Sequence, residues 1–590
     1  MNLNRTTKLH IMSLLPGSFV MILFVYRSSF PTSNGRVFTL FDDAMISMSY
    51  AQTLSTTGEL VWFPGEQRVQ GYTNLLWTLY MSILHFVGLA GSQVALAVSI
   101  TCMLLLLGTS LLAARLVFKL LSQHQTKALI YSSFVGCSIP FLYPLTFWSL
   151  RGMETGFLAF LLMSAVTIAI QSTQNSDGSL KDRKSYFIIS LIGALGILTR
   201  IDFLLPFSFI ILFVAFRRSE VSNSIKKYFA MVLTSTLLIL LALFVWQYLY
   251  YGDWMPNTYR LKIGGYSIWT RIHRGLMSAG KIAPLLAILS VTHFYLLKTK
   301  ASESIKLFSS LAVGCTFTIS LYSVYVGGDA WEDFGINRYV SISLPLILSA
   351  VLINLTFILK QTRITSKKKM FLLVPMMIIF SCLASITTNP FGILFIAVTT
   401  YIFIGVISFS FIYFFEIKQS YSEVFKVVVV CLMLISVASA QGIYVMLGSG
   451  LLPAYTALDF KKTMQALELK KASLPGAKIA VSWAGAPAYY SSRNMIDLLG
   501  KSDRFIAEGF PVTNLPKGTW YEDFYPGHNK YNYEYSIGVL KPDIVVDLLE
   551  PMSLSKWGYS VSCLPNGDQI YIKNNSKFIN QAALIDCPGT

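Results

Sequence analysis

The chain has 590 residues, of which 54% are hydrophobic and 13% are charged, and its mean hydropathy is +0.57. Soluble domains carry about 25% charged residues, so this composition excludes an ordinary soluble protein and indicates a polytopic membrane protein. The net charge is +18. Its basic residues lie in short loops between apolar runs and not on one soluble face, which excludes nucleic acid as the predicted partner.

Apolar runs of about 20 residues, enough to span a bilayer, recur between Lys8 and Leu447. The first run, which ends near Tyr26, lacks an A-x-A-like cleavage site, so we interpret it as a retained span and not a signal peptide. Clusters of Lys and Arg mark the cytoplasmic side, and the intervening turns collect most of the carboxylates. This pattern predicts about 13 spans, a cytoplasmic N-terminus and an extracytoplasmic C-terminus.

Two regions contain apolar segments that are predicted to be too short to cross the membrane completely. Residues 75–89 rise only about 22 Å as a helix, so we expect an interfacial helix on the outer surface. Residues 185–199 and 203–216 flank "LTRID" and are also short. Broken helices are tolerated where they line a wet cavity within the protein, which predicts that Arg200 and Asp202 lie at the floor of such a cavity.

The polar C-terminal part predicts a division into a membrane domain, residues 1–451, and an extracytoplasmic α/β domain, residues 452–590. The predicted buried strands lie in "KIAVSWAG" and "PDIVVDLL", and "NMIDLLG" is another short apolar run that ends at a glycine. In an oxidising compartment Cys563 and Cys587 would form a disulfide, and the alternative is two unrelated thiols. Five other cysteines lie in apolar runs as packing residues: Cys102, Cys137, Cys315, Cys382 and Cys431.

The outer turns combine carboxylates with aromatic residues. An aromatic belt at the membrane interface would by itself explain Trp254, Tyr259 and Trp331. Ionisable groups at membrane depth are functional candidates, and rings beside carboxylates suit a sugar site. The stretches concerned are "FDDAMISMSYA", "VWFPGEQRVQGYTNLLW", "SLRGMETG", "LTRID", "YYGDWMPNTYRLK" and "YVGGDAWEDFGINRY".

In this order, these motifs resemble those of the GT-C superfamily of glycosyltransferases, and more closely the AftB-type arabinofuranosyltransferases. The tail stretches "VSWAGAPAYYSSRNMIDLLGKSD" and "GHNKYNYEYSIGVLKPDIV" extend the resemblance over nearly the whole chain. It implies a helical GT-C fold, a polyprenyl-phosphate sugar donor and an envelope glycan acceptor. It also implies inverting transfer of arabinofuranose or another pentose, on the outer face of the bacterial cytoplasmic membrane.

The resemblance places the catalytic base in the first outer loop, at Asp42 or Asp43. Adjacent residues on a helix point about 100° apart, so one of the two should face the acceptor hydroxyl. Position in the motif favours Asp42 as the base. Asp43 would then orient a neighbour, cap the helix that starts near Ala44 or help to bind a metal, and in the alternative interpretation both aspartates only cap that helix.

The predicted ligands of the donor phosphate are Arg200, Lys262 and Arg338, because cations stabilise the charge that grows on a leaving phosphate. In the alternative interpretation the arginines form structural ion pairs, Arg200 with Asp202 and Arg338 with Asp333.

The wider predicted substrate-binding set consists of Arg68, Tyr72, Asn74, Glu154, Asp202, Asn257, Asp329 and His528. In the alternative interpretation Arg68 extends to the lipid headgroups and His528 is an ordinary surface histidine. Asp329, Glu332 and Asp333 are hard oxygen ligands suited to Ca²⁺ or Mg²⁺, but no spacing is diagnostic of a metal site. Tyr489, Tyr490 and Arg493 suit stacking on acceptor sugars, and packing against their own sheet is the alternative.

Two other function classes compete with a transferase. One is a lipid-linked sugar transporter or flippase, which should show internal repeats and charged residues near the bilayer midplane. The sequence shows neither. The other is a glycan ligase or polymerase, which would depend on the outer arginines and not on the aspartates.

Overall fold

The computed structural model describes residues 3–32, 35–174, 180–217, 223–332, 334–361, 419–512, 524–550 and 552–587. These residues form a large helical part and a small sheet-containing C-terminal part. The helices of the first part are α1 (Leu3–Ser13), α2 (Leu15–Arg27), α3 (Asp42–Thr57), α4 (Leu75–Phe86), α5 (Ser92–Leu120), α6 (Gln125–Ser138), α7 (Tyr143–Leu150), α8 (Thr155–Gln174), α9 (Leu180–Thr199), α10 (Leu204–Arg217), α11 (Asn223–Tyr251), α12 (Asn257–Ile263), α13 (Ile268–Gly280), α14 (Ala283–Leu297), α15 (Glu303–Tyr325), α16 (Arg338–Ser341), α17 (Leu344–Gln361) and α18 (Gln419–Gly448).

Several described helices are long and apolar enough to cross a membrane, which makes this a multi-pass membrane protein. They are Thr6–Arg27, Ser92–Leu120, Thr155–Ser172, Ala230–Tyr251, Glu303–Tyr325 and Val424–Gly448. Two bent pairs pass the same test: Gln125–Phe141 with Tyr143–Leu150, bent by 56°, and Ile268–Gly280 with Ala283–Leu297, bent by 69°. The predicted total of about 13 spans includes residues 362–418, and these, with Cys382, lie outside the described residues.

The predicted short elements are short in the structure as well. The helix α4 has 12 residues, and α9 and α10 are separated at Arg200, whose backbone is extended at φ −154° and ψ 129°. Glycines in α9 allow this helix to pack closely against the residues that follow Arg200. A Cβ atom at Gly196 would lie 2.0 Å from Phe203 Cδ1, and one at Gly193 would lie 2.5 Å from Phe207 Cε1. The chain therefore turns back sharply at Arg200, as the sequence predicts.

The C-terminal part contains a five-stranded sheet, and β1 (Phe30–Thr32) and β2 (Gly35–Val37) form a separate hairpin. The sheet has the order β4-β3-β5-β7-β6, with β3 parallel to β4 and β5, and β7 antiparallel to β5 and β6. Its elements are β3 (Lys478–Val481), β4 (Asn494–Asp497), β5 (Ile544–Val546), β6 (Tyr559–Cys563) and β7 (Gln569–Lys573), with helices α19 (Thr456–Ala472), α20 (Ala486–Ser491) and α21 (Arg504–Glu508).

The sheet core consists of the apolar strand residues that the sequence predicts to be buried. Ile479, Val481, Ile544 and Val546 have no exposed surface. A disulfide joins Cys563, at the end of β6, to Cys587. The predicted strands in "KIAVSWAG" and "PDIVVDLL" correspond to β3 and β5, and the short apolar run in "NMIDLLG" contains β4.

Helix α3 lies at the boundary between the two parts. The Asp42 carboxylate accepts hydrogen bonds from the backbone N–H groups of Gly485, at 3.0 Å, and Ala486, at 3.1 Å. A fully buried ion pair between Arg151 and Asp459 crosses the same boundary. These contacts fix the C-terminal part against the first residues of α3 and bring its loops over the adjoining cavity.

Candidate functional site

The cavity beside α3 has a volume of about 750 Å³, including its open mouth. The helical part supplies residues from α3, the 71–74 loop, α12, the end of α15 and the stretch from Asp329 to Tyr339. The C-terminal part supplies Lys501 and the turn from Pro526 to His528. Since both parts form its walls, we refer to it below as the interdomain cavity.

The two neighbouring aspartates have different positions. Asp43 lines the interdomain cavity, whereas Asp42 does not and is directed to the backbone N–H groups of Gly485 and Ala486. Burial raises the pKa of Asp42 to about 6. Because adjacent residues on a helix point in different directions, only one carboxylate can face the cavity, and the structure gives that position to Asp43.

Asp43 is held between two cations. Its Oδ2 lies 2.9 Å from Arg338 Nη1, and its Oδ1 accepts a hydrogen bond of 2.9 Å from Lys501 Nζ. Although burial raises it, the pKa of Asp43 is held well below its usual range by Lys501 and Arg338. The carboxylate is therefore ionised at neutral pH and neutralised by groups from both parts of the chain.

The three predicted phosphate ligands surround one aromatic ring, that of Tyr339. The Arg200 guanidinium and Lys262 Nζ each lie 5.1 Å from the ring centroid, and the Arg338 guanidinium lies 5.7 Å away. Lys262 also donates a hydrogen bond to the Tyr339 hydroxyl. Cations are attracted to the negative face of such a ring, which partly offsets their mutual repulsion. Tyr339 is thus a site residue that sequence reasoning missed, although it directly follows Arg338 in a quoted motif.

These three cations differ in their carboxylate partners. Arg200 donates to Asp202 through Nε and Nη2, both at 2.9 Å, and to Glu154 through Nη1 at 2.9 Å. Arg338 pairs with Asp43 and has its Nε 2.8 Å from Asp329 Oδ2, while its predicted alternative partner Asp333 lies outside the described residues. Among the described residues, no carboxylate oxygen lies within 4.0 Å of Lys262 Nζ. Lys262 is therefore the cavity cation whose charge is least compensated.

Behind Arg200, a hydrogen-bonded network orders the guanidinium. Asn74 donates to Glu154 Oε2 at 2.9 Å and accepts from the Ser47 hydroxyl at 2.9 Å. Glu154, Asp202, Arg200 and Arg338 line a smaller cavity of about 270 Å³ at this position. Arg200 and Asp202 thus form the structural ion pair that the sequence analysis left as an alternative.

The other predicted substrate residues divide between the cavity and the surface. Tyr72, Asp329 and His528 line the interdomain cavity. Asn257 is buried and donates to the Gly500 carbonyl at 3.3 Å, so it supports the loop that carries Lys501. Arg68 is exposed, pairs with Glu59 at 3.3 Å and lies over the Tyr250 ring, which is away from the cavity.

Lys501 is a second cavity residue that sequence reasoning missed. It follows β4 in a tight loop in which the Asp497 carboxylate accepts the backbone N–H groups of Leu499, Gly500 and Ser502. Beside it, His528 packs edge-on against Trp331, with ring centroids 5.3 Å apart. Burial and the neighbouring charge of Lys501 lower the pKa of His528 to about 3, so this imidazole is neutral.

The predicted acceptor-stacking residues contact protein and not the cavity. Tyr489 and Tyr490 donate hydrogen bonds to the carbonyls of Gly91, at 3.1 Å, and Phe38, at 2.7 Å. Arg493 donates to the carbonyls of Lys470 and Ser473. The two tyrosines therefore pack against the helical part and not against their own sheet, and Arg493 contacts the C-terminal end of α19.

The candidate metal ligands are engaged by protein groups. Glu332 accepts from Arg274 Nη1 at 2.7 Å, from the Ser278 hydroxyl at 2.6 Å and from Asn337 Nδ2 at 3.1 Å. Arg274 Nη2 also donates to the Asp329 carbonyl at 2.7 Å. Within the part of the chain that the structure describes, which omits Asp333, no three His, Cys, Asp or Glu residues are grouped to hold a metal ion.

Comparison with solved structures identifies a known architecture. The chain aligns with the crystal structure of ArnT from Cupriavidus metallidurans bound to undecaprenyl phosphate, at a TM-score of 0.51 and 11% identity, over 82% of this chain and 85% of that one. ArnT is a GT-C glycosyltransferase, and this chain is similar to it in fold. At TM-scores below 0.5, it also aligns with two other proteins. One is arabinosyltransferase EmbB from Mycobacterium smegmatis (0.43, 12% identity, 74% of this chain and 41% of that one). The other is the Archaeoglobus fulgidus oligosaccharyltransferase (0.46, 11% identity, 98% and 75%).

Sequence comparison adds one match. Residues 456–570 match the family described as Domain of unknown function (DUF8728). No curated protein sequence matches the chain.

Proposed function

We propose that this GT-C protein is an inverting glycosyltransferase of the bacterial cytoplasmic membrane. Its donor would be a polyprenyl-phosphate sugar, with arabinofuranose or another pentose as the first candidate, and its acceptor a hydroxyl of an envelope glycan on the outer face. The observation that carries the proposal is the interdomain cavity, in which the Asp43 carboxylate contacts Arg338 and Lys501 and which Lys262 also lines. The likeness in fold to ArnT, which was solved with undecaprenyl phosphate, supports a lipid-phosphate donor.

The reaction needs one displacement at the anomeric carbon. The acceptor hydroxyl oxygen forms a bond to this carbon while the bond from the carbon to the phosphate oxygen breaks, and the configuration inverts. The hydroxyl proton passes to a carboxylate, and the leaving polyprenyl phosphate keeps the electron pair. Negative charge therefore grows on the phosphate, where cations stabilise the transition state more than the ground state.

Lys262 is the proposed first anchor of the phosphate. Its ammonium lies in the cavity with the Tyr339 hydroxyl as its partner, and no described carboxylate within 4.0 Å competes with a phosphate oxygen. Arg200, whose three donor nitrogens are already bonded to carboxylates, is instead proposed to order the cavity floor.

Asp43 is the proposed base, and donor binding would make it competent. While Arg338 and Lys501 both contact Asp43, the carboxylate is a weak base. A phosphate at Lys262 would compete for the same two cations. As they move towards it, the pKa of Asp43 rises towards the range in which proton transfer is efficient. This exchange of ion pairs would couple deprotonation of the acceptor to the presence of the donor.

The test is transfer by the purified full-length protein, with a set of polyprenyl-phosphate pentoses and hexoses and isolated envelope glycans as acceptors. Mass spectrometry detects the product, and NMR gives its anomeric configuration. Replacing the base, Asp43→Asn, is expected to lower kcat by about 10²–10⁴-fold. Lys262→Gln is expected mainly to raise the KM of the donor, and the exposed Lys556→Gln is the matched control with unchanged kinetics.

Two results would overturn the proposal. One is full transfer activity in both the Asp43→Asn and Asp42→Asn variants, which would point to a ligase or polymerase that depends on the arginines. The other is movement of the lipid-linked sugar across a proteoliposome membrane with no glycosidic bond formed, which is the behaviour of a flippase.

A further inference from the structure

One segment of the C-terminal part, residues 504–512, lies against the ends of membrane-spanning helices. Arg504, the first residue of α21, donates a hydrogen bond of 2.7 Å to the carbonyl of Tyr251, the last residue of the span in α11. Further along, Pro511 approaches the turn before α13 so closely that a Cβ atom at Gly265 would lie 2.6 Å from its Cδ. The segment therefore lies at the level at which the chain leaves the membrane.

Helix α13 lies at the same level. It is bent by 69° from α14 and packs across the end of α15, which is another span. Arg271 Nη1 donates to the carbonyl of Tyr325, the last residue of α15, at 3.2 Å. A Cβ atom at Gly275 would lie 2.2 Å from the Val324 carbonyl oxygen. A helix that crosses the end of a span lies at the boundary between hydrocarbon and water.

The two faces of α13 are the reverse of those of a helix on a soluble protein. Arg271 and Ser278 are buried against the rest of the chain. The outward face carries Ile268, Trp269 and Leu276, and Trp269 is 75% exposed. A surface helix of a soluble protein directs its apolar face to the core, and tryptophan is enriched where a membrane meets water. Lipid is therefore the expected partner of the outward face.

Phe510 extends this apolar surface into the C-terminal part. It directly precedes Pro511, beside the turn that leads into α13, and at 89% it is the most exposed large apolar side chain of the described residues. Removing such a ring from water is favourable. Its charged neighbours Arg260 and Glu508 pair at 3.4 Å and remain partly exposed, as suits the depth of lipid headgroups. The membrane that covers α13 is thus the nearest apolar phase for this ring.

We propose that Phe510 inserts into the lipid leaflet at the membrane surface where the interdomain cavity lies, so that the C-terminal part rests on the bilayer beside α13. Two links connect this contact to the cavity. Lys501 lies just before α21, and the Val512 N–H group donates to the carbonyl of Asn529, next to His528, at 2.8 Å. The contact would keep this wall of the cavity at headgroup depth. It is independent of the proposed sugar transfer, because Phe510 does not line the cavity.

The test is photo-crosslinking of the full-length protein in nanodiscs of phosphatidylglycerol and phosphatidylcholine. The variants are Phe510→p-benzoylphenylalanine, Trp269→p-benzoylphenylalanine and the control Val561→p-benzoylphenylalanine. Val561 is 43% exposed and lies on β6, at the edge of the sheet opposite β4, from which the chain continues to α21. After irradiation, intact-protein mass spectrometry detects any covalent adduct.

The expected result is a mass increase of one phospholipid in the Phe510 and Trp269 variants and none in the Val561 variant. Absence of the lipid adduct at Phe510 would overturn the proposal, whether or not Trp269 forms one. Equal adducts at Phe510 and Val561 would also overturn it, because they would reflect unspecific contact with lipid. A crosslink from Phe510 to a second copy of the chain would assign the surface to an interface between copies.

Folding of each variant is checked by its melting temperature and by size-exclusion chromatography. If the Phe510 variant does not fold, Phe510→Cys and Val561→Cys are compared after attachment of a nitroxide spin label. In lipid, the label at position 510 should collide more often with oxygen than with a water-soluble nickel chelate, and the label at position 561 should show the opposite preference. The same preference at both positions would then contradict the proposal.

Discussion

Asp42 and Asp43 are neighbours in sequence but differ in environment. Asp42 bonds to backbone N–H groups of the C-terminal part, and Asp43 bonds to the cations of the interdomain cavity. Their acidities differ accordingly. Burial raises the pKa of Asp42 to about 6, whereas Lys501 and Arg338, against the effect of burial, hold that of Asp43 below its usual range. This difference makes the identity of the base measurable.

The pH dependence of kcat/KM for the donor reports the free enzyme's base. A base must be deprotonated, so activity is lost as the pH falls through its pKa. With Asp43 as the base, we expect kcat/KM to stay level down to about pH 4, below which even an unperturbed aspartate is protonated. An acidic limb near pH 6 would instead identify Asp42 and contradict the assignment. The folded fraction is measured at each pH, so that a loss of kcat/KM through protonation of the base can be distinguished from a loss through unfolding.

Lys501→Gln tests the proposed exchange of cations. The variant removes one partner of Asp43 and one partner of the incoming phosphate, so the pKa of Asp43 should rise and the donor should bind less tightly. Because a hydrogen bond to a charged group contributes about 1.5–3 kcal/mol, we expect kcat/KM for the donor to fall by about 10- to 100-fold. Because the pKa of Asp43 rises, kcat/KM of the variant should also begin to fall at a higher pH than that of the wild type. Lys556→Gln is the control, and equal kinetics of the two variants would exclude Lys501 from the site.

At the scale of elements, the start of α3 and the start of α20 approach closely enough to exclude a side chain. A Cβ atom at Gly485 would lie 2.1 Å from the Asp42 carbonyl oxygen and 2.5 Å from Asp42 Oδ1. The backbone N–H groups of Gly485 and Ala486 can therefore reach the Asp42 carboxylate only because residue 485 is glycine. This contact also determines where the next residue, Asp43, points.

Gly485→Ala is expected to push α3 away from α20. Overpacking of this kind typically costs about 1–3 kcal/mol, so the melting temperature should fall and kcat should fall with it. The control is Gly448→Ala, because a Cβ atom at Gly448 meets no atom within 4 Å. Circular dichroism melts and the transfer assay measure both effects. A Gly485→Ala protein as stable and active as the Gly448→Ala control would show that the close approach is unimportant.

A second element-scale contact holds the loop that carries Asp329. Arg274, on α13, donates to the carbonyls of Gly327 and Asp329 and to Glu332. The exposed face of the same helix carries Ile268, Trp269 and Leu276. One helix thus presents apolar residues outward and fixes a cavity loop with its buried arginine.

At the scale of the whole molecule, the site exists only where the two parts of the chain meet. Asp43, Lys262 and Arg338 come from the helical part, and Lys501 and His528 come from the C-terminal part. The buried pair of Arg151 and Asp459 crosses this boundary without lining the cavity. It provides a way to weaken the docking of the two parts without changing a cavity residue.

Asp459→Asn removes one charge of that pair and leaves Arg151 buried without its carboxylate. Breaking a buried ion pair in this way costs about 3–5 kcal/mol, so we expect a lower melting temperature and faster proteolysis between residues 448 and 456. The control is Glu534→Gln, which breaks the exposed pair with Lys556 and should cost no more than about 1 kcal/mol. Equal stability of the two variants would contradict a structural role for Arg151 and Asp459.

Some of this protein follows from local sequence. Membrane helices and the strands β3 and β5 were predicted correctly, because hydrophobicity over a short window decides whether a segment is buried in lipid or in a core. The break at Arg200 follows from the shortness of its two flanking apolar runs. The sequence also indicated which loops carry carboxylates and which carry Lys and Arg, and so which charged residues share one side of the membrane. This can be predicted because the charge of a loop and its place between two spans are both properties of a single segment.

Tertiary structure decided which of those residues lie close together. The motif favoured Asp42, but the direction of each carboxylate depends on how the Asp42 side chain, at the start of α3, caps the start of α20, and these elements are more than 440 residues apart. Lys501, Tyr339 and the carboxylate partners of Arg200 and Arg338 likewise depend on contacts between distant segments. The sequence by itself determined that the protein is membrane-embedded and which charges it carries. The packing of its two parts determined which charges meet, because ion pairing depends on distances of a few ångströms between residues from separate segments.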